Sequence, residues 1–223
     1  MQKRKFKIHV ANATHLIFAE EICLLMEESA KIRGTGIAKR SPEYIREKMM
    51  EGKAVIATYE EKVAGFCYIE SWGHGKFVAN SGLIVAPDFR KSGIARNLKK
   101  KTFELSQKKF PEAKLFGITT SLAVMKINSD LGYRPVTFSE LTVDDEFWKG
   151  CGSCPNYDIL MRNQRRMCLC TAMLYDPKNK GQQFDFLKKL KVLERLNHIK
   201  EALFLKVQQV ANGLKENNGD KGK

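Results

Sequence analysis

No stretch of the 223 residues approaches the roughly 18 consecutive apolar residues that a membrane-spanning helix needs. The basic start, Met1 to Lys7 with Lys3, Arg4, Lys5 and Lys7, is not followed by the apolar segment of a secretory signal. Both absences point to a cytoplasmic protein without a membrane partner. Histidine is scarce, and no helix-turn-helix, zinc finger with histidine ligands or basic sheet studded with aromatics can be read, which disfavours nucleic acid as the partner. No segment repeats. Acidic residues are outnumbered, 25 against 39 basic ones, leaving a formal net charge of +14. An excess of that size suits an anionic partner such as cofactor phosphates, and it equally describes lysine-rich helix faces that are merely solvated.

What is present is a length sufficient for one sizeable core, with 43% hydrophobic residues. A first strand is expected near Phe6 to Val10. Asn12 or Thr14 then caps a helix in which Leu16, Ile22, Met26 and Ala30 recur at roughly helical spacing. Ser41 and Pro42 open a second helix, as an N-cap followed by a proline at the first helical position. Three runs rich in β-branched and aromatic residues, Ala54 to Tyr59, Val63 to Ser71 and Phe77 to Val85, read as an antiparallel meander. A helix from about Gly93 to Lys109, a strand Leu115 to Thr119 and a helix Leu122 to Leu131 ending at Gly132 complete an α+β (mixed α/β) pattern. The expected division is a domain over 1–177 and an appendage over 178–223. The appendage reads as a lysine-rich amphipathic helix, Phe184 to Leu214, and a disordered basic tail. The helix either packs back on the domain or makes a homodimer.

The segment richest in chemistry is Leu83-Ile84-Val85-Ala86-Pro87-Asp88-Phe89-Arg90-Lys91-Ser92-Gly93-Ile94-Ala95, a buried strand turning through a basic loop into a helix. Such a turn aims unpaired backbone N–H groups and a helix dipole at one point, the usual means of binding phosphate. Gly93 permits a close approach, Ala95 keeps the first turn thin, and Arg90, Lys91, Arg96 and Lys100 add charge.

From Val85 to Ala95 the chain resembles motif A of the GNAT acetyltransferases, V-x-P-x-(F/Y)-R-x-x-G-(I/L)-(A/G). Ile118-Thr119-Thr120-Ser121 with Leu131-Gly132-Tyr133-Arg134-Pro135 resembles their motif B. The resemblance runs from about Phe6 to Pro135. It implies a GNAT-like central mixed sheet flanked by helices and acetyl-CoA or another acyl-CoA as cofactor. It also implies cofactor binding by Leu83, Ile84, Val85, Arg90, Lys91, Ser92, Gly93, Ile94, Ala95 and Arg96, with an oxyanion-binding N–H in the region of Ser81 to Leu83. The place where many members of the family carry an acidic tyrosine is held here by Asn128. Asparagine can donate a hydrogen bond but cannot act as a Brønsted acid. Asn128 is therefore assigned to the cofactor and the thioester, with water or Tyr133 as substitute acid. Glu70 and His74 are the candidate bases, against the plainer alternative of a solvated carboxylate and a turn histidine.

Arg40-Ser41-Pro42-Glu43-Tyr44-Ile45 is similar to the R-S-x-E-x-(L/I) segment of the acyltransferase domain of N-acetylglutamate synthases. That similarity implies transfer of an acetyl, succinyl or other short acyl group to the α-amino group of glutamate, as in arginine biosynthesis. Arg40, Lys76 and Arg33 would then hold the acceptor's carboxylates. A protein N-terminus, a polyamine or another small amine as acceptor, and a non-catalytic acyl-CoA sensor, stand as alternatives. Cys151, Cys154, Cys168 and Cys170, spaced C-x2-C and C-x-C, read as a structural zinc site, as free thiols or as a redox pair, the second two on one face of a presumed strand.

Overall fold

A computed structural model describes residues 5–33 and 39–179. The C-terminal helix expected over Phe184 to Leu214, its dimer contact and the basic tail lie outside them. The elements are β1 (Lys7–Val10), α1 (Ala19–Arg33), α2 (Pro42–Met50), β2 (Ala54–Tyr59), β3 (Lys62–Trp72) and β4 (Phe77–Val85). There follow α3 (Ile94–Lys109), β5 (Lys114–Thr119), α4 (Leu122–Asp130), β6 (Arg134–Val136), α5 (Asp145–Lys149), α6 (Tyr157–Arg162) and β7 (Thr171–Tyr175).

Local chemistry sets most boundaries. The Ser41 hydroxyl accepts the Tyr44 amide at 3.2 Å ahead of Pro42, and Ser121 caps α4 in the same way. The Asn12 side chain accepts the Thr14 amide at 3.0 Å, but the turn it opens, Ala13–Phe18, is 3-10, so the α-helix begins later than its apolar spacing predicts. Gly132, with φ +92°, follows α4 as the left-handed residue a helix end favours.

The seven strands lie in the order β1-β2-β3-β4-β5-β7-β6, antiparallel except for the β4–β5 pair. Successive residues of β3 face opposite sides. Phe66 and Tyr68 pack with Ile22, Met26, Ile45 and Met49 of α1 and α2, while Ile69 joins Val78, Leu115 and Tyr133 near α3. On the α1 side, the β5–β7 half is covered by Phe138, Leu141, Trp148 and Leu160. β7, α5 and α6 were not anticipated as such. Cys168 and Cys170 fall just ahead of β7 instead of within a strand, which corrects the expectation that a strand aligns their sulfurs.

Two irregularities shape the centre of the sheet. β4 and β5 pair in parallel only at Phe77↔Lys114, Val78↔Leu115 and Ala79↔Phe116, after which β4 stays with β3 while β5 pairs β7 alone. In addition, Phe66↔Ile84 and Tyr68↔Ser81 leave one extra residue on β4, a bulge. Gly82 occupies it with φ +63°, and a Cβ there would stand 2.2 Å from Tyr68 Cε1. Gly82→Ala should therefore destabilise the protein by roughly 2 kcal/mol or more, through the left-handed backbone and the clash together. Denaturant unfolding reads this out, and an unchanged midpoint would remove the bulge from the account.

Candidate functional site

Where β4 and β5 part, a cleft of about 420 Å³ opens. Asn80 to Leu83 of β4 form one wall, and Phe116 to Thr119 of β5 with Ser121, Val124 and Asn128 form the other. Arg40, Tyr68, Glu70 and Trp72 reach it from the α1–α2 side of the sheet, Lys99 from α3, and Phe147, Gly150 and Cys151 from the α5 region.

Beyond the end of β4 the chain makes the turn that the sequence marks out. Phe89 is buried, Lys91 takes φ +61°, and Gly93, at φ +84°, is the N-cap of α3. The first bond into the helix is Asn97 N–H to Gly93 O at 3.2 Å, so the amides of Ile94, Ala95 and Arg96 precede the intrahelical ladder and point outward. A Cβ built at Gly93 meets nothing within 4 Å, so the space beside the start of α3 is open at that residue. The cradle fits a pyrophosphate. Arg90 and Lys91 are exposed beside it, and Arg90 Nε lies 3.4 Å from Val85 O. The Arg96 guanidinium, more than half exposed, is paired with Asp130 at 2.6 Å. The side chain of Ile84 is buried in the α1–α2 core, leaving only its backbone for a ligand.

On the α1–α2 side, Glu70 gathers a polar network. The Tyr44 hydroxyl donates to its carboxylate, and Arg40 Nη2 lies 3.4 Å from the same oxygen. Arg40 also donates from Nε to the Tyr68 hydroxyl at 2.9 Å and from Nη1 to Lys39 O at 3.2 Å. Burial, and then Glu70, push the pKa of both phenols up, so they remain hydrogen-bond donors at neutral pH. Two expectations about this side are corrected. Lys76 is exposed in the tight turn at the far end of the β3–β4 hairpin and does not line the cleft, and His74 stands exposed in the same turn. Arg33 is the final residue of α1.

On the α3–α4 side, Asn128 is 1% exposed, its Nδ2 3.8 Å from Met173 Sδ, and its Oδ1 has no partner among the described residues. Tyr133 is also buried, but it stands behind the cleft wall and does not line it. Its hydroxyl donates to Asn80 Oδ1 at 3.1 Å, Asn80 donates to Ser106 Oγ at 2.7 Å, and burial pushes the phenol pKa up. Tyr133 is thus a brace for Asn80, a cleft residue, and not the substitute acid. Reading the sequence assigned no role to Tyr44, Tyr68, Asn80 or Lys99, and it included Gly82 in the Ser81 to Leu83 stretch without the bulge. Two signals were available: a glycine alone inside a strand pattern, which often marks a bulge, and Lys99 sharing the helical stripe of Ile94, Leu98, Thr102 and Ser106.

The four clustered cysteines line a small cavity with Phe138, Tyr157 and Leu160. Burial, and then the neighbouring thiols, push Cys151 up to about 11 and Cys170 up to about 12. Among the described residues no group of three or more His, Cys, Asp or Glu is placed to hold a metal ion. The zinc expectation thus finds no support among the described residues, where the four are free cysteines around one cavity, Cys151 and Cys170 with thiols that burial keeps protonated.

No curated protein matches the chain in sequence. The model of the Acetyltransferase (GNAT) family matches residues 25–122, which span the cradle, the bulge and the parted strands. Among similar solved structures is N-acetylglutamate synthase from Neisseria gonorrhoeae, complexed with coenzyme A and N-acetyl-glutamate. It is 14% identical with a TM-score of 0.55, over 77% of this chain and 35% of that one. Rv2747 from Mycobacterium tuberculosis, in complex with CoA, is 13% identical with a TM-score of 0.55, over 76% of this chain and 98% of its own. An acetyltransferase of the GNAT family from Staphylococcus aureus Mu50 is 12% identical with a TM-score of 0.53, over 78% and 99%. The chain spans about a third of the Neisseria enzyme. At such identities the likeness establishes the fold.

Because the cysteines are packed as thiols, exhaustive chelation should leave the melting temperature unchanged, and purified protein should carry no stoichiometric zinc by elemental analysis. A chelator-induced drop in melting temperature would restore the metal site, since site and fold would then be coupled.

Proposed function

The chain carries the fold and, over residues 25–122, the sequence signature of the GNAT acetyltransferases; on that premise we propose that it is an N-acyltransferase moving a short acyl group from acyl-CoA to the α-amino group of an acidic amino acid, glutamate being the best fit. The observation that carries this reading is the cleft at the parted strands, flanked by an open amide cradle and by a pocket holding both an arginine and a glutamate. When bound, acyl-CoA supplies a thioester whose thiolate leaves readily.

The chain's own residues divide the remaining work. The amides of Ile94, Ala95 and Arg96 and the dipole of α3 hold the pyrophosphate, with Arg90 and Lys91 adding charge. Ser81 to Leu83, around the bulge at Gly82 and beyond the last β5 pairing, line the cleft, where a backbone N–H of theirs would stabilise charge developing on the thioester oxygen. Asn128 Oδ1, buried and without a partner among the described residues, would accept an N–H from the cofactor's arm. On the acceptor side, Glu70 holds the ammonium and takes its proton, and the Tyr44 and Tyr68 phenols fix that carboxylate and Arg40 in place. Arg40 faces the acceptor's carboxylate. Opposite charges a few ångströms apart suit an amino acid, which carries both, better than a polyamine, which carries one sign only. Fixing amine and thioester in the same cleft supplies much of the rate. Acylation of glutamate would place the protein in amino-acid biosynthesis, in the cytoplasm.

A thiol-release assay across amino acids and amines tests the acceptor, with turnover expected on glutamate or a close analogue and none on polyamines. Arg40→Ala should raise KM for that acceptor by one to two orders of magnitude, about what losing a charge-assisted bond implies. Lys76→Ala, outside the cleft, should behave as wild type. A preference for a cationic amine would overturn the glutamate assignment. Gly93→Val should weaken coenzyme A binding at least about tenfold by calorimetry, because its side chain fills the cradle and resists φ +84°. Unchanged affinity would remove the cradle from the account.

A further inference from the structure

Two cationic side chains line the cleft among the described residues, and they are placed very differently. Arg40 is matched by Glu70 and Tyr68. Lys99 is 2% exposed, on the inner face of α3, and its Nζ lies 5.7 Å from the Tyr133 ring centroid. Among the described residues no carboxylate comes within ion-pair distance of that nitrogen and it makes no hydrogen bond. Its other ionisable neighbour, Cys67, is fully buried, with a pKa pushed up by burial, and donates its own thiol proton to Ser81 O at 3.3 Å. Burial accordingly drives the lysine's pKa down. A buried ammonium without a counter-ion is costly, and the cost is recovered when a ligand brings an anion into the cleft.

The position of Lys99 indicates which part of a ligand that is. Cys67 and Tyr68 are successive residues of β3 and face opposite sides of the sheet. Tyr68 stands with Arg40 on the acceptor side, whereas Cys67 stands with Lys99 and Thr102 on the α3 side. The acceptor's carboxylate is met by Arg40, and the coenzyme's phosphates are met at the start of α3, outside the cleft. The arm between the phosphates and the thioester carries no charge, so an anion for Lys99 has to come from the acyl chain. We propose that Lys99 Nζ is the counter-ion for a carboxylate at the far end of the acyl chain, so that the donor is the coenzyme A thioester of a short dicarboxylic acid, with succinyl-CoA the fitting example, in preference to acetyl-CoA. This inference rests on the acyl-CoA reading of the cleft and extends it to the donor's chemical class. It also gives an unpaired buried lysine a reason to sit in a stripe of apolar and hydroxyl residues.

The test compares coenzyme A, butyryl-CoA and succinyl-CoA by calorimetry, without acceptor, on the full chain and on Lys99→Met. The two thioesters have four-carbon acyl chains and differ at the terminal carboxylate. Wild type should bind succinyl-CoA about tenfold or more tightly than butyryl-CoA, as a desolvated charge-assisted bond implies. Lys99→Met should bind the two alike while keeping its affinity for coenzyme A, and its melting temperature should rise because an unpaired buried charge is gone. Equal binding of both thioesters by wild type, or a preference for succinyl-CoA that survives in Lys99→Met, overturns the proposal. The wild-type comparison stands even if the variant fails to fold. Failure of all three compounds to bind would instead remove the acyl-CoA reading beneath it.

Discussion

The parting of β4 from β5 after three parallel pairs is the constraint on which the rest depends. Each strand is held on its other edge, β4 by β3 and β5 by β7, over most of its length, so neither is free to swing across and close the gap. The bulge at Gly82 then turns the β4 backbone at the point where the strands separate. Backbone groups facing that gap have lost their sheet partners, and unpaired backbone near the core needs another partner. A ligand with amides of its own, laid between the strands, would supply one. The fold thus makes a binding slot out of a defect in its own sheet, and the defect is stabilised by packing: the ring of Tyr68 lies where any side chain at position 82 would have to go.

The two sides of the slot differ in how completely their polar groups are satisfied. On the acceptor side Arg40, Tyr44, Tyr68 and Glu70 hold one another, giving a rigid pocket whose charges are in place before anything binds. On the α3–α4 side Asn80 is tied down by Tyr133 and Ser106, while among the described residues Asn128 Oδ1 has no hydrogen-bond partner and Lys99 Nζ meets only the Tyr133 ring and no carboxylate. Buried polar groups in native proteins are rarely unmatched, and those that are concentrate where function requires it. In the proposed reading the unmatched pair faces the donor and the matched network the acceptor, as binding two different molecules in one cleft requires.

Much of the fold was legible in the sequence because its signals are local. Capping residues such as Ser41, Pro42 and Ser121, and the alternating runs of the meander, fix elements from their immediate neighbours. The cradle was legible for the same reason, since a strand, a basic turn and Gly93 are contiguous. What was not legible depends on contacts between distant segments. Arg96 pairs with Asp130 of α4, a partner 34 residues away that its neighbours in sequence do not signal. Lys76 entered the central strand in sequence, yet the hairpin turn carries it away from the cleft. Tyr133 was expected as a substitute for the acid missing at Asn128, whereas tertiary packing buries it against Asn80. The four cysteines had plausible ligand spacing, but the segment before β7 is not extended, so the geometry that spacing assumed does not arise. Lys99 went unremarked because a lysine on a lysine-rich helix gives no sign of burial until the apolar stripe of that helix is counted.

The central claim is that the slot between β4 and β5, with the cradle at α3, is where acyl-CoA lies. Amide hydrogen exchange on the full chain, with and without saturating coenzyme A, tests it most directly, because exchange reports each backbone group separately. Protection should appear at Ser92 to Arg96, at Ser81 to Leu83 and along Gly117 to Ser121, and nowhere on the outer strands β1 and β6. Protection confined to other segments, or exchange at these amides unchanged by the cofactor, would contradict the account.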